Sequence, residues 1–172
     1  TSNANLFNVG AAGTTMRFLT AFLSRVVGEW TITGSERMKD RPIGVLVDAL
    51  RELGANIDYV EKEGFPPLKI LGSSLQGKTL ELPGNVSSQY ISALLMIAPT
   101  VTDGLTLKLK GDITSKPYIN LTLKLMELYG VKSDWNGNTI KVAEQSLKPV
   151  EVKAEGDWSA ASYWFQIVAL GG

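Results

Sequence analysis

The chain has 172 residues, of which 44% are hydrophobic and 20% are charged, a composition typical of a folded globular protein and not of a disordered one. Its 17 basic and 17 acidic residues cancel, so there is no basic excess of the kind that binds nucleic acid or anionic membranes. Since the sequence has no Cys and no His, it excludes disulfides, thiolate nucleophiles and a Ser-His-Asp triad within this chain, and it argues against a zinc site.

The first half of the chain alternates predicted helices with short predicted strands. Apolar side chains at helical spacing predict a helix over residues 14–26, and a strand over residues 29–33 follows. A second helix begins after the Arg-Pro pair at residues 41–42, and Gly54 is placed to end it. Three further strands are predicted near residues 57–60, 68–71 and 78–82.

The same order of elements then begins again roughly 70 residues later, which indicates a duplicated supersecondary unit. Ser87 and Ser88 open a helix that Pro99 stops, and a strand over residues 105–110 follows it. Ser115 opens the next helix, as the Arg-Pro pair did in the first copy. The repeat predicts a mixed α/β (α+β) fold of βαβαββ-type units, with helices inside and sheets outside.

The helix that follows Ser115 contains a conflicting pattern. Apolar side chains alternate from Ile119 to Leu125 as they would in a strand. We predict a helix that ends at residues 129–130, because Pro117 suits a first helical position, Ser115 can cap it, and the repeat requires it. The remaining predictions are strands near residues 131–135, 139–142 and 150–153, and a third copy that begins at residues 156–159 with an apolar helix over residues 163–170.

Small or hydroxyl-bearing residues stand at the starts of several predicted helices. A helix start presents unpaired N–H groups and a partial positive charge, which favours a bound anion by roughly 0.3–1 kcal/mol. Several starts that converge on one cleft would therefore make a phosphate site without much net charge. The simpler alternative is that each residue only caps its own helix, and the residues alone do not identify a reaction. The residues concerned are Gly13, Thr14, Thr15, Ser87, Ser88 and Ser115.

Five segments, in family order and covering nearly the whole chain, resemble EPSP synthases (3-phosphoshikimate 1-carboxyvinyltransferases). They are a Gly-rich turn (10–17), an arginine loop (36–44), a substrate-phosphate loop (86–90), the loop after it (115–119) and a segment after the interdomain hinge (155–163). The resemblance implies an enolpyruvyl transferase-like architecture. It also implies a glyphosate-sensitive class of enzyme that transfers the enolpyruvyl group of phosphoenolpyruvate to the 5-hydroxyl of shikimate 3-phosphate. The implied route is addition and elimination, without a metal or an organic cofactor.

The resemblance also implies a role for individual residues. Phosphoenolpyruvate would be bound by Gly13, Arg41 and Gln89. Shikimate 3-phosphate would be bound by Ser87, Ser88, Ser115 and Tyr118. Weaker candidates are Thr14, Arg17 and Asp157, the last of which would cap its helix and pair across the hinge with Arg17. None of these residues is a proton-transfer group, so we expect binding, orientation and charge stabilisation from them, and no catalytic residue within this fragment.

The resemblance further implies that the chain is an internal fragment. Residues 1–152 would form a partial substrate-binding domain of about two repeats, and residues 153–172 would contain a hinge near 152–156 and the start of a second domain. We expect a cytoplasmic, monomeric complete enzyme without a nucleic-acid or membrane partner, since no apolar run reaches the length of a membrane span. Two alternatives are another enolpyruvyl transferase, which uses UDP-N-acetylglucosamine as acceptor, and a non-catalytic repeat module.

Overall fold

The structure, a computed structural model, describes residues 5–153, residue 156 and residues 158–171. Two units with the same order of elements are followed by one further helix. The first unit consists of β1 (Leu6–Asn8), α1 (Gly13–Arg25), β2 (Gly28–Thr33), α2 (Glu36–Lys39), α3 (Gly44–Glu52), β3 (Asn56–Tyr59) and β4 (Leu68–Gly72). The rest consists of β5 (Thr79–Pro83), α4 (Ser88–Ile97), β6 (Leu105–Lys110), α5 (Lys116–Leu128), β7 (Ser133–Asn136), β8 (Thr139–Val142) and α6 (Trp158–Gly171).

Each unit forms its own four-stranded sheet, and the two sheets have the same topology. The strand orders are β1-β2-β4-β3 and β5-β6-β8-β7. In each sheet the first pair is parallel and the other two pairs are antiparallel. Apart from the one-turn α2, both units therefore have the order βαβαββ. The predicted fold class is confirmed.

The distribution of apolar side chains explains why the helices lie inside. In β4, Leu68 and Ile70 are buried while Lys69 between them is exposed, so one face of the sheet meets the core and the other meets solvent. The second sheet alternates in the same way. Helix α4 is apolar on nearly all sides, and it packs against both α1 and α5. One buried apolar cluster joins these helices to the inner faces of both sheets.

The helical prediction after Ser115 is confirmed despite its alternating pattern. In α5 the side chains of Ile119 and Met126 are buried, whereas Leu121 and Leu125 are exposed. The apolar residues therefore belong to two different faces of one helix. The outer face of α5 carries an exposed stripe of one tyrosine and three leucines: Tyr118, Leu121, Leu125 and Leu128.

The strand predicted over residues 150–153 is wrong, because residues 143–153 form neither helix nor strand. Residues 143–153 precede α6 as β5 precedes α4, so they occupy the place of β5 in the repeat. Strand β5 pairs only with β6, the strand that follows α4. Among the described residues no strand follows α6, so the segment has no partner of that kind. The sequence also missed β1 and α2, which have three and four residues, and α6 begins five residues before the predicted start at Tyr163.

Helix α6 differs from the other long helices because it is exposed along its length. Its large apolar side chains include Trp164, which is 73% exposed, and Leu170, which is 80% exposed. Asp157, the predicted cap of this helix, lies outside the described residues. The predicted boundary between residues 152 and 153 therefore remains a prediction. None of the helices that the structure describes is both long and apolar enough to cross a membrane.

Candidate functional site

The starts of α1 and α4 meet, as the anion-site hypothesis requires. The side-chain amide Nε2 of Gln89 donates a hydrogen bond of 2.9 Å to Oγ1 of Thr14. Each of these residues is the second of its helix. At the other end, Nη2 of Arg25 donates to the carbonyl of Thr100, just beyond α4. The two helices therefore run in the same direction, and their N-terminal N–H groups lie at the same edge of the helical layer.

The arginine loop lies directly over the start of α1. A Cβ atom placed on Gly13 would be 2.7 Å from both Cζ and Nη2 of Arg41, which is closer than real contacts allow. The missing side chain of Gly13 therefore leaves room for the guanidinium of Arg41. The helix start also lacks a side-chain cap, since the residue before it is Ala12. Thus the guanidinium and the uncapped N–H groups form one positively polarised patch.

Arg17 fastens the Gly-rich turn to the arginine loop. Its side chain is only 4% exposed. Nη1 donates a hydrogen bond of 3.1 Å to the carbonyl of Gly13 and lies 3.7 Å from Sδ of Met38. Nη2 donates a hydrogen bond of 3.0 Å to the carbonyl of Pro42. Tyr90 donates its hydroxyl to the same carbonyl at 2.6 Å. The prediction that Arg17 pairs with Asp157 remains untested, because Asp157 lies outside the described residues.

The serines at the start of α4 have different surroundings. The hydroxyl of Ser87 accepts a hydrogen bond of 3.4 Å from the backbone N–H of Gln89, so Ser87 is the N-cap of α4. Ser88, in contrast, makes no side-chain hydrogen bond within the part of the chain that the structure describes. The hydroxyl of Ser88 is therefore uncommitted, and that of Ser87 can still donate its O–H to a ligand.

Ser115 and Tyr118 lie on the neighbouring helix α5. Ser115 is the N-cap residue, but its hydroxyl makes no capping hydrogen bond. Tyr118 is 66% exposed. A hydrogen bond of 2.7 Å between the hydroxyls of Ser92 and Thr122 holds α4 and α5 together. Among the described contacts, none joins Ser115 or Tyr118 directly to Arg41 or Gln89.

A cavity of about 490 Å³ opens beside the arginine loop, and it contains a second arginine. Among the described residues, neither guanidinium in the cavity takes part in an ion pair or a hydrogen bond. The nearby Lys39 differs from these two arginines because it has acidic partners. Its hydrogen bond to Glu61, and to a smaller extent that to Glu36, raises its pKa, and the two carboxylates offset its charge. The arginines thus supply the uncompensated positive charge of this region. The lining residues are Ala11, Ser35, Arg37, Met38 and Arg41.

Comparison with known proteins gives this geometry a context. The family model for EPSP synthase (3-phosphoshikimate 1-carboxyvinyltransferase) matches residues 1–172. The chain belongs to the EPSP synthase family. A 3-phosphoshikimate 1-carboxyvinyltransferase of Bacteroides fragilis is 56% identical over 171 residues, which are 99% of this chain and 42% of that protein. One of Shewanella pealeana is 45% identical over 174 residues, covering 99% of this chain and 41% of the relative.

The chain thus spans about two-fifths of the length of these EPSP synthase relatives. A solved structure of EPSP synthase from Acinetobacter baumannii has the same fold, with a TM-score of 0.79 at 24% identity. The alignment covers 95% of this chain and 36% of that one. These comparisons confirm the resemblance and the enolpyruvyl transferase-like architecture that were expected from the five sequence segments.

Two residues of this candidate site were missed in the sequence. Arg37 lies on α2, which has only four residues, and Arg41 lies beyond the end of that helix, so no helical spacing indicated that the two arginines line one cavity. Tyr90 directly follows Gln89, but its target carbonyl lies 48 positions away in the chain. No local pattern reports such a contact.

Proposed function

We propose that this chain is part of an enzyme that transfers the enolpyruvyl group of phosphoenolpyruvate to the 5-hydroxyl of shikimate 3-phosphate. The 5-hydroxyl of shikimate 3-phosphate adds its oxygen to C2 of phosphoenolpyruvate and gives up its proton, while the methylene carbon of phosphoenolpyruvate takes up a proton. Loss of a proton from the resulting methyl group then expels phosphate and restores the double bond. One new C–O bond replaces the phosphate ester bond, so the atoms balance without a redox step.

One observation supports this proposal most strongly: Gln89 and Thr14 join two helix starts beside the guanidinium of Arg41. Both substrates carry phosphate, and both helix starts attract anions. Arg41 can make a bidentate contact with a phosphate or carboxylate of the donor, with Gly13 beneath it. Gln89 stands between the patch at α1 and the serines at α4, which suits a residue that contacts both substrates.

For the acceptor, we propose that its phosphate binds Ser87, Ser88 and Ser115, with Tyr118 beside its ring. The uncommitted hydroxyls of Ser88 and Ser115 support this part of the proposal. Because the proposed ligands include no carboxylate, histidine or lysine that could act as a general acid or base, their contribution is to binding, orientation and stabilisation of developing charge. Groups outside this chain would then move the protons.

We also propose that residues 153–172 begin a second domain of the complete protein. The exposure of α6 on nearly all sides supports this boundary, since a helix of that composition is normally buried. The proposal places the substrate site between two domains, of which this chain supplies most of one. A crystal structure of the complete protein in which α6 packed into the same core as α1 and α4 would contradict it.

The direct test is an assay of the complete protein with phosphoenolpyruvate and each acceptor in turn. We expect phosphate release with shikimate 3-phosphate and none with UDP-N-acetylglucosamine. Release with the sugar nucleotide alone would favour the other class of enolpyruvyl transferase. The absence of release with either acceptor, together with the absence of phosphate binding, would favour a non-catalytic module.

Ser88 and Ser115 allow a sharper test of the acceptor site. We expect Ser88→Ala and Ser115→Ala each to weaken shikimate 3-phosphate binding by about 1–3 kcal/mol, because a hydrogen bond to a charged group is lost. Neither hydroxyl caps its helix, so the free energy of unfolding should change little. Calorimetric titration of the complete protein measures the first quantity, and denaturant unfolding measures the second.

Ser133→Ala is a suitable control, since this exposed serine begins β7 on the second sheet. If Ser88→Ala and Ser115→Ala both titrate like the unmodified protein, these serines do not bind the acceptor. Ser87→Ala is a less informative variant, because loss of its cap alone would cost roughly 0.5–2 kcal/mol of helix stability.

A further inference from the structure

The carbonyl of Pro42 accepts two hydrogen bonds from two different helices. Tyr90 on α4 donates its hydroxyl at 2.6 Å, and Arg17 on α1 donates Nη2 at 3.0 Å. A carbonyl oxygen has two lone pairs, so this acceptor is fully used. The backbone immediately after Arg41 is therefore held to both helix starts of the candidate site.

This attachment matters because the side chain of Arg41 has no other anchor in the described structure. It makes neither a hydrogen bond nor an ion pair there, and its guanidinium rests against Gly13. A long side chain without such bonds samples several rotamers, and its reach depends on where its backbone is fixed. The two hydrogen bonds to Pro42 contribute to that fixed point, together with those from the backbone N–H of Arg41 to Met38 and of Ile43 to Gly64.

The two donors have different environments. Arg17 is buried and also bonds to Gly13, so its removal would disturb the start of α1 as well. Tyr90 is only half-buried, and its ring stacks near the guanidinium of Arg17, with 5.9 Å between Cζ and the ring centroid. Loss of the Tyr90 hydroxyl leaves this ring in place and leaves the Pro42 carbonyl bonded to Arg17. The hydroxyl can therefore be removed without creating an unpaired buried group.

We propose that Tyr90 is a positioning residue that holds Arg41 for the phosphorylated donor and couples the donor arginine to the acceptor loop. This inference rests on the proposed function. Ser87, Ser88, Gln89 and Tyr90 are consecutive, so an acceptor phosphate that orders the first two also orders the tyrosine. Its hydroxyl transmits that order to the arginine loop. Acceptor binding then strengthens donor binding, although the two ligands touch different residues.

Tyr90→Phe in the complete protein tests this role. We expect the KM for phosphoenolpyruvate to rise by about 5-fold, the loss associated with one hydrogen bond, while the Kd of shikimate 3-phosphate for the donor-free protein changes by less than about 2-fold. The gain in donor affinity that the bound acceptor produces should fall by a similar factor. Tyr129→Phe is the matched control, because this half-buried tyrosine at the end of α5 makes no side-chain hydrogen bond to the described residues.

A double-mutant cycle distinguishes positioning of Arg41 from a general structural effect. If Tyr90 acts through Arg41, then Tyr90→Phe should have almost no further effect in an Arg41→Ala background. An unchanged KM for phosphoenolpyruvate in Tyr90→Phe, an equal loss of shikimate 3-phosphate affinity in the donor-free protein, or full additivity in the cycle would each overturn the inference. An unmodified protein that transfers no enolpyruvyl group would overturn the proposed function and this inference with it.

Discussion

Replacing Arg41 with Ala in the complete protein is expected to lower kcat/KM for phosphoenolpyruvate by roughly 30-fold or more. Truncating one partner of a desolvated, hydrogen-bonded charge pair costs about 2–5 kcal/mol, and each 1.36 kcal/mol corresponds to about a tenfold change in rate. Arg41 is the arginine whose guanidinium lies against Gly13 at the start of α1. The kcat/KM of Arg41→Lys should lie between that of the unmodified protein and that of Arg41→Ala, because lysine keeps the charge but loses the planar fork.

The control for Arg41→Ala is Lys108→Ala, which removes one positive charge from the outer face of the second sheet. Steady-state kinetics with each substrate varied separately will show whether the loss concerns the donor. If Arg41→Ala and Lys108→Ala behave alike, the effect is one of net charge, and Arg41 is not a donor ligand.

Gly13→Ala is expected to raise the KM for phosphoenolpyruvate by about tenfold or more, and to weaken inhibition by glyphosate. The added methyl group would fall 2.7 Å from Cζ of Arg41, so the guanidinium must move away from the helix start. A displacement that loses one charge-assisted hydrogen bond costs about 1.5–3 kcal/mol. Binding of shikimate 3-phosphate should remain nearly unchanged, because Ser87 and Ser88 belong to a different helix.

The matched control is Gly44→Ala, since Gly44 is also the first residue of a helix. A Cβ atom there would meet the Cα of Gly64 at 3.6 Å, which is an ordinary contact. Alanine favours a helix over glycine by up to about 1 kcal/mol, so neither variant should unfold more readily. Equal losses for both substrates in Gly13→Ala would contradict the proposal and indicate general damage to the turn.

How far the fold could be predicted depended on the length of each element and on the repeat. Helix α5 was predicted correctly because Pro117 and the matching segment of the first unit outweighed a strand-like alternation. Strand β1 was missed because three residues carry too little periodicity to be recognised. The strand over residues 150–153 was predicted from local composition, whereas its formation depends on a partner strand that the described chain does not provide.

For the candidate site, the helix starts that the sequence singled out include those of α1 and α4, which the structure brings together, but the sequence did not predict the contacts between them. Hydroxyl residues at helix starts are visible as a local pattern. In contrast, the bond from Tyr90 to Pro42 and the placement of Arg41 over Gly13 depend on how two units pack together. The pairing of Arg17 with Asp157 stays a prediction, while the described contacts of Arg17 are two backbone carbonyls, Met38 and the ring of Tyr90.

The hydrogen bond between Thr14 and Gln89 joins equivalent positions of two similar units, since each residue is the second of its helix. A single unit has only one such helix start, so the cleft between the starts requires both units. The two starts differ in sequence: α1 begins with a Gly-Thr step beside Arg41, and α4 begins with Ser88 and Gln89 after its N-cap Ser87. We therefore expect neither unit by itself to form the candidate site.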